Sequence, residues 1–151
     1  MGGYGGSSGR VKDKCYYDTG GHKVKDKNSI EVAEYYINKG KRVAFLQEKP
    51  PEKRPDLLVD NNLLVEVKGI SSTNPSQISK QLEKASKQID KELSKYSADK
   101  KVGAKIIIVS RHSNFENGYN AVCEGYKEAK RKGEVGFKVE FWHDGKIYIL
   151  E

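Results

Sequence analysis

Apolar residues recur along this chain with two distinct periods. Over 29–39 (SIEVAEYYINK), Ile30, Ala33, Tyr36 and Ile37 fall on one side of a helix. Asn28 or Ser29 can cap its start and Gly40 can end it. A longer helix is predicted from 75 to about 96, with Ile78, Leu82, Ala85, Ile89 and Leu93 as its stripe and Pro75 in its first turn. A third is predicted over 117–132, stopped by Gly133. Between these lie strand-like runs at 42–46, 55–60 and 62–68. The run AKIIIVS at 104–110 is almost continuously apolar, as a strand covered on both faces is. FKVEFW and KIYIL flank Asp144-Gly145, a type I′ hairpin signal. The order is helix, three strands, helix, strand, helix, two strands. It predicts an α/β fold in which a mixed sheet is flanked by helices.

Composition sharpens the boundaries. Residues 1–28 are rich in Gly, Ser, Lys and Asp and read as a flexible lead-in, which leaves 29–151 as a single domain. A chain of 151 residues can bury a real core, and no apolar run reaches the roughly 18 residues a membrane span needs. No signal-peptide pattern stands at the N-terminus. Cys15 and Cys123 lie far apart, without ligand-spaced neighbours, and His22, His112 and His143 are scattered. That pattern disfavours a zinc cluster and favours free thiols. The net charge of +7, from 28 Lys+Arg against 21 Asp+Glu, favours a polyanionic partner such as nucleic acid.

One stretch does not fit a plain core. In RPDLLVDNNLLVEVKG, 54–69, Asp56, Glu66 and Lys68 interrupt two apolar strands. Buried charges of this kind need partners or a metal. Glu66 and Lys68 are two apart and share a strand face. Asp56 joins them only in one hairpin register. A two-residue Asn61-Asn62 loop pairs Leu57 with Glu66 and sends Asp56 to the opposite face. A three-residue loop over 60–62 pairs Val59 with Leu63 and Asp56 with Glu66, with Asn62 suited to the left-handed conformation such a loop wants. A bulge in the first strand has the same effect. Two carboxylates set opposite each other repel unless a cation lies between them. Mg²⁺ suits such a pair, and Mn²⁺ or Zn²⁺ are the alternatives. Lys68 would then orient a water or stabilise charge on a phosphoryl transition state.

Pro55-Asp56 followed ten residues on by Glu66-Val67-Lys68 resembles the motif of the PD-(D/E)XK (restriction-endonuclease-like) nuclease superfamily. The predicted elements resemble its αβββαβ core, here followed by αββ. The runs EVAEYYINKGKRVAFLQE, RPDLLVD, VEVKG and KASKQID are similar to the C-terminal toxin nucleases of contact-dependent growth inhibition systems. The resemblance covers about half of the chain. It implies a metal-dependent nuclease, with tRNA as substrate and DNA as the alternative. It also implies secretion as part of a larger bacterial toxin, action in the target-cell cytoplasm, and a cognate immunity protein as partner. A non-catalytic nucleic-acid-binding module of the same fold is the competing reading.

Residue by residue, the resemblance makes Asp56 and Glu66 metal ligands and Lys68 the catalytic lysine. Glu31 matches the acid of the first helix, with Glu34 still open. Gln88, in Ala85-Ser86-Lys87-Gln88, matches the glutamine of the second helix. Arg54, Lys84 and Arg111 are candidate substrate contacts, within a wider basic set of Lys49, Lys53, Lys80 and Lys87. His112, leaving the end of a central strand, is a candidate base with a structural role as its alternative. Tyr119, Tyr126 and Trp142 could stack on bases, although core packing is the commoner use of such residues.

Overall fold

The computed structural model describes residues 15–48 and 53–151. Helix α1 spans Lys27–Asn38, β1 Val43–Phe45, β2 Leu57–Val59 and β3 Leu63–Ile70. Then come α2 (Pro75–Leu93), β4 (Gly103–Ser110), α3 (Phe115–Arg131), β5 (Lys138–His143) and β6 (Lys146–Ile149). The expected order of elements is observed in full.

The six strands form one mixed sheet in the order β1-β2-β3-β4-β5-β6. β2 is antiparallel to both β1 and β3, β3, β4 and β5 run parallel, and β6 closes the edge antiparallel to β5. Parallel neighbours need crossovers, and α2 and α3 supply them. Both lie on the same face, over Ile70, Ile106, Ile108, Val139 and Phe141. α1 covers the opposite face, where Val32, Ala33 and Tyr36 meet Val65, Val67, Ile107 and Val109. Strand alternation therefore sets Glu66 and Lys68 on the α2 face, in line with Ile70.

The helix ends are set by local chemistry. α1 begins earlier than expected because Asp26, not Asn28 or Ser29, is its cap: its carboxylate accepts from the Asn28 N–H at 3.0 Å and the Ser29 hydroxyl at 2.9 Å. Gly40, at φ 83°, ends the helix in the left-handed conformation that glycine takes without strain. α2 and α3 approach closely at Gly125, where a Cβ would stand 2.7 Å from Ile78 Cγ2 and 2.9 Å from the Pro75 carbonyl.

Residues 1–14 of the expected lead-in lie outside the described residues. From 15 onward the chain is docked. Tyr17 bridges Lys23, Asp18 bridges Phe45, and the Thr19 N–H donates to the Phe45 carbonyl at 2.8 Å, so this segment lies along β1. No helix among the described residues is long and apolar enough to cross a membrane.

The three aromatics considered for base stacking pack on or in the core, Tyr119 half-buried and the other two buried. Tyr119 is ringed by Phe115, Phe141 and Tyr148; Tyr126 is buried; Trp142 is buried against Tyr35 and donates to Glu140. Cys123 is half-buried with a free thiol.

Candidate active site

The β2–β3 hairpin decides whether the acids meet. Its ladder pairs Val59 with Leu63, Leu58 with Leu64 and Leu57 with Val65. This is the three-residue register, and its next step sets Asp56 opposite Glu66. The turn is built differently from the expectation. Asp60 (φ 50°) and Asn61 (φ 58°) take the left-handed conformation, and Asn62 does not. The Asn62 N–H returns to the Val59 carbonyl at 3.0 Å, as in a type I′ turn. The reason lies in neighbouring strands. Asp60 exchanges bonds with Arg42, its N–H donating to the Arg42 carbonyl and its carboxylate accepting from the Arg42 N–H, both at 2.8 Å. The Asn62 carbonyl is taken by the Gly103 N–H at 2.8 Å, which holds Asn62 against the start of β4.

Beyond Leu57 the β2–β3 ladder stops. There Asp56 Oδ2 accepts from the Val67 N–H at 2.8 Å. A carboxylate thus replaces the backbone acceptor that β2 no longer offers, and in doing so it comes within hydrogen-bond reach of the Glu66 carboxyl. Lys68 Nζ lies 3.2 Å from Glu66 Oε2. Strand alternation and the strand split together bring the three expected residues to one place.

The electrostatics of the pair are extreme. Glu66 is only 3% exposed, and its buried Oε1 has no hydrogen-bond partner among the described residues. Burial, then the charge and hydrogen bond of Asp56, push its carboxyl up to about 9, against the opposing pull of Lys68. Burial also raises Asp56, although hydrogen bonds from Glu66 and the Val67 N–H resist it. The two carboxyls behave as one site that keeps a proton near neutral pH. Oxygen donors only, one of them orphaned, within a pair that repels when fully ionised, fit a hard divalent cation. Among the described residues no third His, Cys, Asp or Glu completes a metal-ligating cluster with them. Water and phosphate oxygens would fill the remaining places, as is usual for Mg²⁺.

Asp56 opens into a cleft of about 440 Å³ whose carboxylates, Asp18, Asp26, Glu48 and Asp56, outnumber its bases, Lys25 and His22. Asp26 is near enough for its charge to raise Asp56. Sequence reasoning missed this residue because it fell in the presumed lead-in. Its signal was an aspartate directly ahead of a helical stripe.

The other expected residues are placed less uniformly. Glu31 is exposed and faces Arg111 at 3.6 Å, and Glu34 accepts from the Tyr16 hydroxyl at 3.0 Å, so neither joins the pair. α1 presents its N-terminal cap Asp26, rather than Glu31, to the cleft that Asp56 lines. On α2 the Gln88 Oε1 and the Ser86 hydroxyl are buried without a hydrogen-bond partner among the described residues. Lys84 is exposed on the same helix. Arg111 is held at the base of α1 by Glu31 and by the Asn28 side chain. Arg54 does not project toward solvent as a phosphate contact would: its Nε and Nη2 grip Glu92 at 3.1 and 2.7 Å. Lys49 lies outside the described residues. His112 has both ring nitrogens engaged, Nε2 with the Ser72 carbonyl at 2.8 Å and Nδ1 with Ser110 Oγ at 3.1 Å. That is the structural role, not that of a base.

Comparison with protein-family models, with curated proteins and with solved structures gives no match to this chain.

Proposed function

We propose that this chain is a metal-dependent endonuclease that hydrolyses phosphodiester bonds, with the αβββαβ core of the PD-(D/E)XK enzymes. One observation carries the reading: Asp56 and Glu66, from adjacent strands, meet within hydrogen-bond reach beside the Lys68 ammonium. Asp56 serves the fold by taking the Val67 N–H, but that bond does not need a second buried carboxyl beside it, and replacing buried charged groups by apolar ones is often neutral or stabilising. Such a pair is useful when a cation replaces the proton.

Bound between these carboxylates, Mg²⁺ or Mn²⁺ would acidify a water and neutralise phosphate charge. The chain's own residues do the rest. The Val67 N–H holds Asp56 in one orientation before any ligand arrives. Lys68, two residues from Glu66 on the same strand face, is placed to hold the attacking water or a non-bridging phosphate oxygen. Gln88, which the resemblance matches to the second-helix glutamine, has a buried acceptor without a partner among the described residues and would orient that water. The net charge of +7 supports a polyanionic substrate, and basic residues on α2 such as Lys84 would meet its backbone.

The choice of tRNA over DNA rests on the resemblance to contact-dependent growth inhibition toxins, as do the cognate immunity protein, the larger secreted parent and action in a target-cell cytoplasm. The test is cleavage of tRNA and of duplex DNA in Mg²⁺, with and without EDTA, by the wild type and by Asp56→Ala. We expect cleavage that EDTA and the substitution both abolish. Wild-type protein as inert as Asp56→Ala on every substrate would overturn the reading.

A further inference from the structure

We infer that Arg54 and Glu92 form a clasp that positions Asp56 for cation binding, so that a contact between α2 and the β1–β2 connection sets the affinity of the site. The inference rests on the proposed role of Asp56.

The clasp is a built feature. Glu92 is 3% exposed at the C-terminal end of α2, yet both its oxygens are occupied. Arg54 Nε donates to Oε1 at 3.1 Å and Nη2 to Oε2 at 2.7 Å, and Lys95 Nζ adds a third donor to Oε1 at 3.3 Å. Burial pushes the Glu92 carboxyl up, but these cationic donors outweigh it and hold the group below its ordinary value. Arg54 Nη1 also reaches the Gln47 carbonyl at 3.5 Å. One guanidinium therefore gathers residues 47 and 54, on either side of the β1–β2 connection, onto α2.

Asp56 lies two residues beyond. It has left the β2–β3 ladder, which ends at the Leu57–Val65 pair. Its own tethers are the Val67 N–H on its carboxylate and the Leu46 N–H, which donates to its carbonyl at 3.0 Å. Upstream, the buried Pro55 and then Arg54 fix its direction of approach. A bidentate guanidinium–carboxylate pair restrains both distance and plane, which a lysine in its place would not. The clasp acts on Asp56 through two residues of backbone rather than by direct contact, and loss of groups that orient metal ligands typically weakens binding about 10–100-fold.

The experiment is Mn²⁺ binding by calorimetry to the wild type, Glu92→Gln and Arg54→Lys. Glu140→Gln, which weakens the Lys105–Glu140 ion pair on the α1 face, away from Asp56, is the control. Mn²⁺ affinity is expected to fall about tenfold or more in both clasp variants and to change less than about threefold in the control. Cleavage in saturating Mn²⁺ should recover toward the wild-type kcat. If Glu92→Gln does not fold, Arg54→Lys, which keeps the charge and loses the fork, carries the measurement. Unchanged affinity in the clasp variants, or a fall equal to that of Glu140→Gln, would overturn the inference. If Asp56→Ala also leaves Mn²⁺ binding unchanged, the proposed cation site itself is wrong; if Asp56→Ala abolishes binding while the clasp variants keep it, only the clasp is.

Discussion

Asp56 Oδ2 takes the Val67 N–H at 2.8 Å, and this single bond across a strand split brings its carboxylate beside that of Glu66. Without a cation the pair keeps a proton, and measurable consequences follow.

The first concerns pH. The Glu66 carboxyl is raised in the folded state from 4.5 to about 9, so the folded chain binds more protons than the unfolded chain between those values. Stability from this group is complete below about 4.5 and declines as pH rises through about 9. In EDTA, the melting temperature of the wild type relative to Glu66→Gln should fall steadily from pH 5 to pH 9. At pH 8 the variant should be the more stable of the two. Thermal unfolding followed by circular dichroism checks both, and parallel pH profiles would refute the coupling.

Cation binding should displace that proton. At pH 7.5, Mn²⁺ is expected to release about one proton per site, read as a dependence of binding heat on buffer ionisation enthalpy. At about 100 times its dissociation constant it should stabilise the fold by about 2.7 kcal/mol. Asp56→Ala should abolish both effects.

In the proposed nuclease reaction Lys68 acts on the substrate rather than on the cation. Lys68→Met should reduce cleavage by about 100-fold or more, on the scale of losing one transition-state donor, while Mn²⁺ affinity changes only a few-fold. An affinity loss as large as the activity loss would make Lys68 a structural counter-charge to Glu66.

The hairpin corner should govern the site at a distance. Asn61 sits at φ 58°, a conformation costing most L residues roughly 1–2 kcal/mol. Asn61→Gly should therefore be nearly neutral. Asn61→Val should destabilise the protein by about that amount in urea titration and weaken Mn²⁺ binding through the register.

Gly125 tests the packing of α2 on α3. In a helix interior Gly→Ala normally gains up to about 1 kcal/mol. Here the added methyl would meet Ile78 at 2.7 Å and the Pro75 carbonyl at 2.9 Å. Overpacking of that kind costs about 1–3 kcal/mol and should win, giving a net loss of stability in urea titration.

The elements were legible because periodicity is a local property. The stripe of α2, the apolar run of β4 and the Asp144-Gly145 turn, with φ of 48° and 75°, each follow from residues close in sequence. So did the unease of Asp56, Glu66 and Lys68 in apolar strands, because a charge in such a run is a local contradiction. The hairpin register was legible only as a condition, since the two loop lengths differ by one residue and local propensity favours neither strongly.

Contacts between distant residues were not legible. Arg54 looked like a phosphate contact until Glu92, 38 positions away, was found to occupy it. Glu31 matched a motif position, but the orientation of α1 hands it to Arg111 and turns Asp26 toward the site. By itself the sequence determined which segments become helix or strand, and that two acids and a lysine needed a reason to be buried. Only the tertiary structure decided which charges meet. Partner choice depends on the splay of β2 from β3 and the seating of two helices, and these come from packing summed over the whole core rather than from any one stretch of chain.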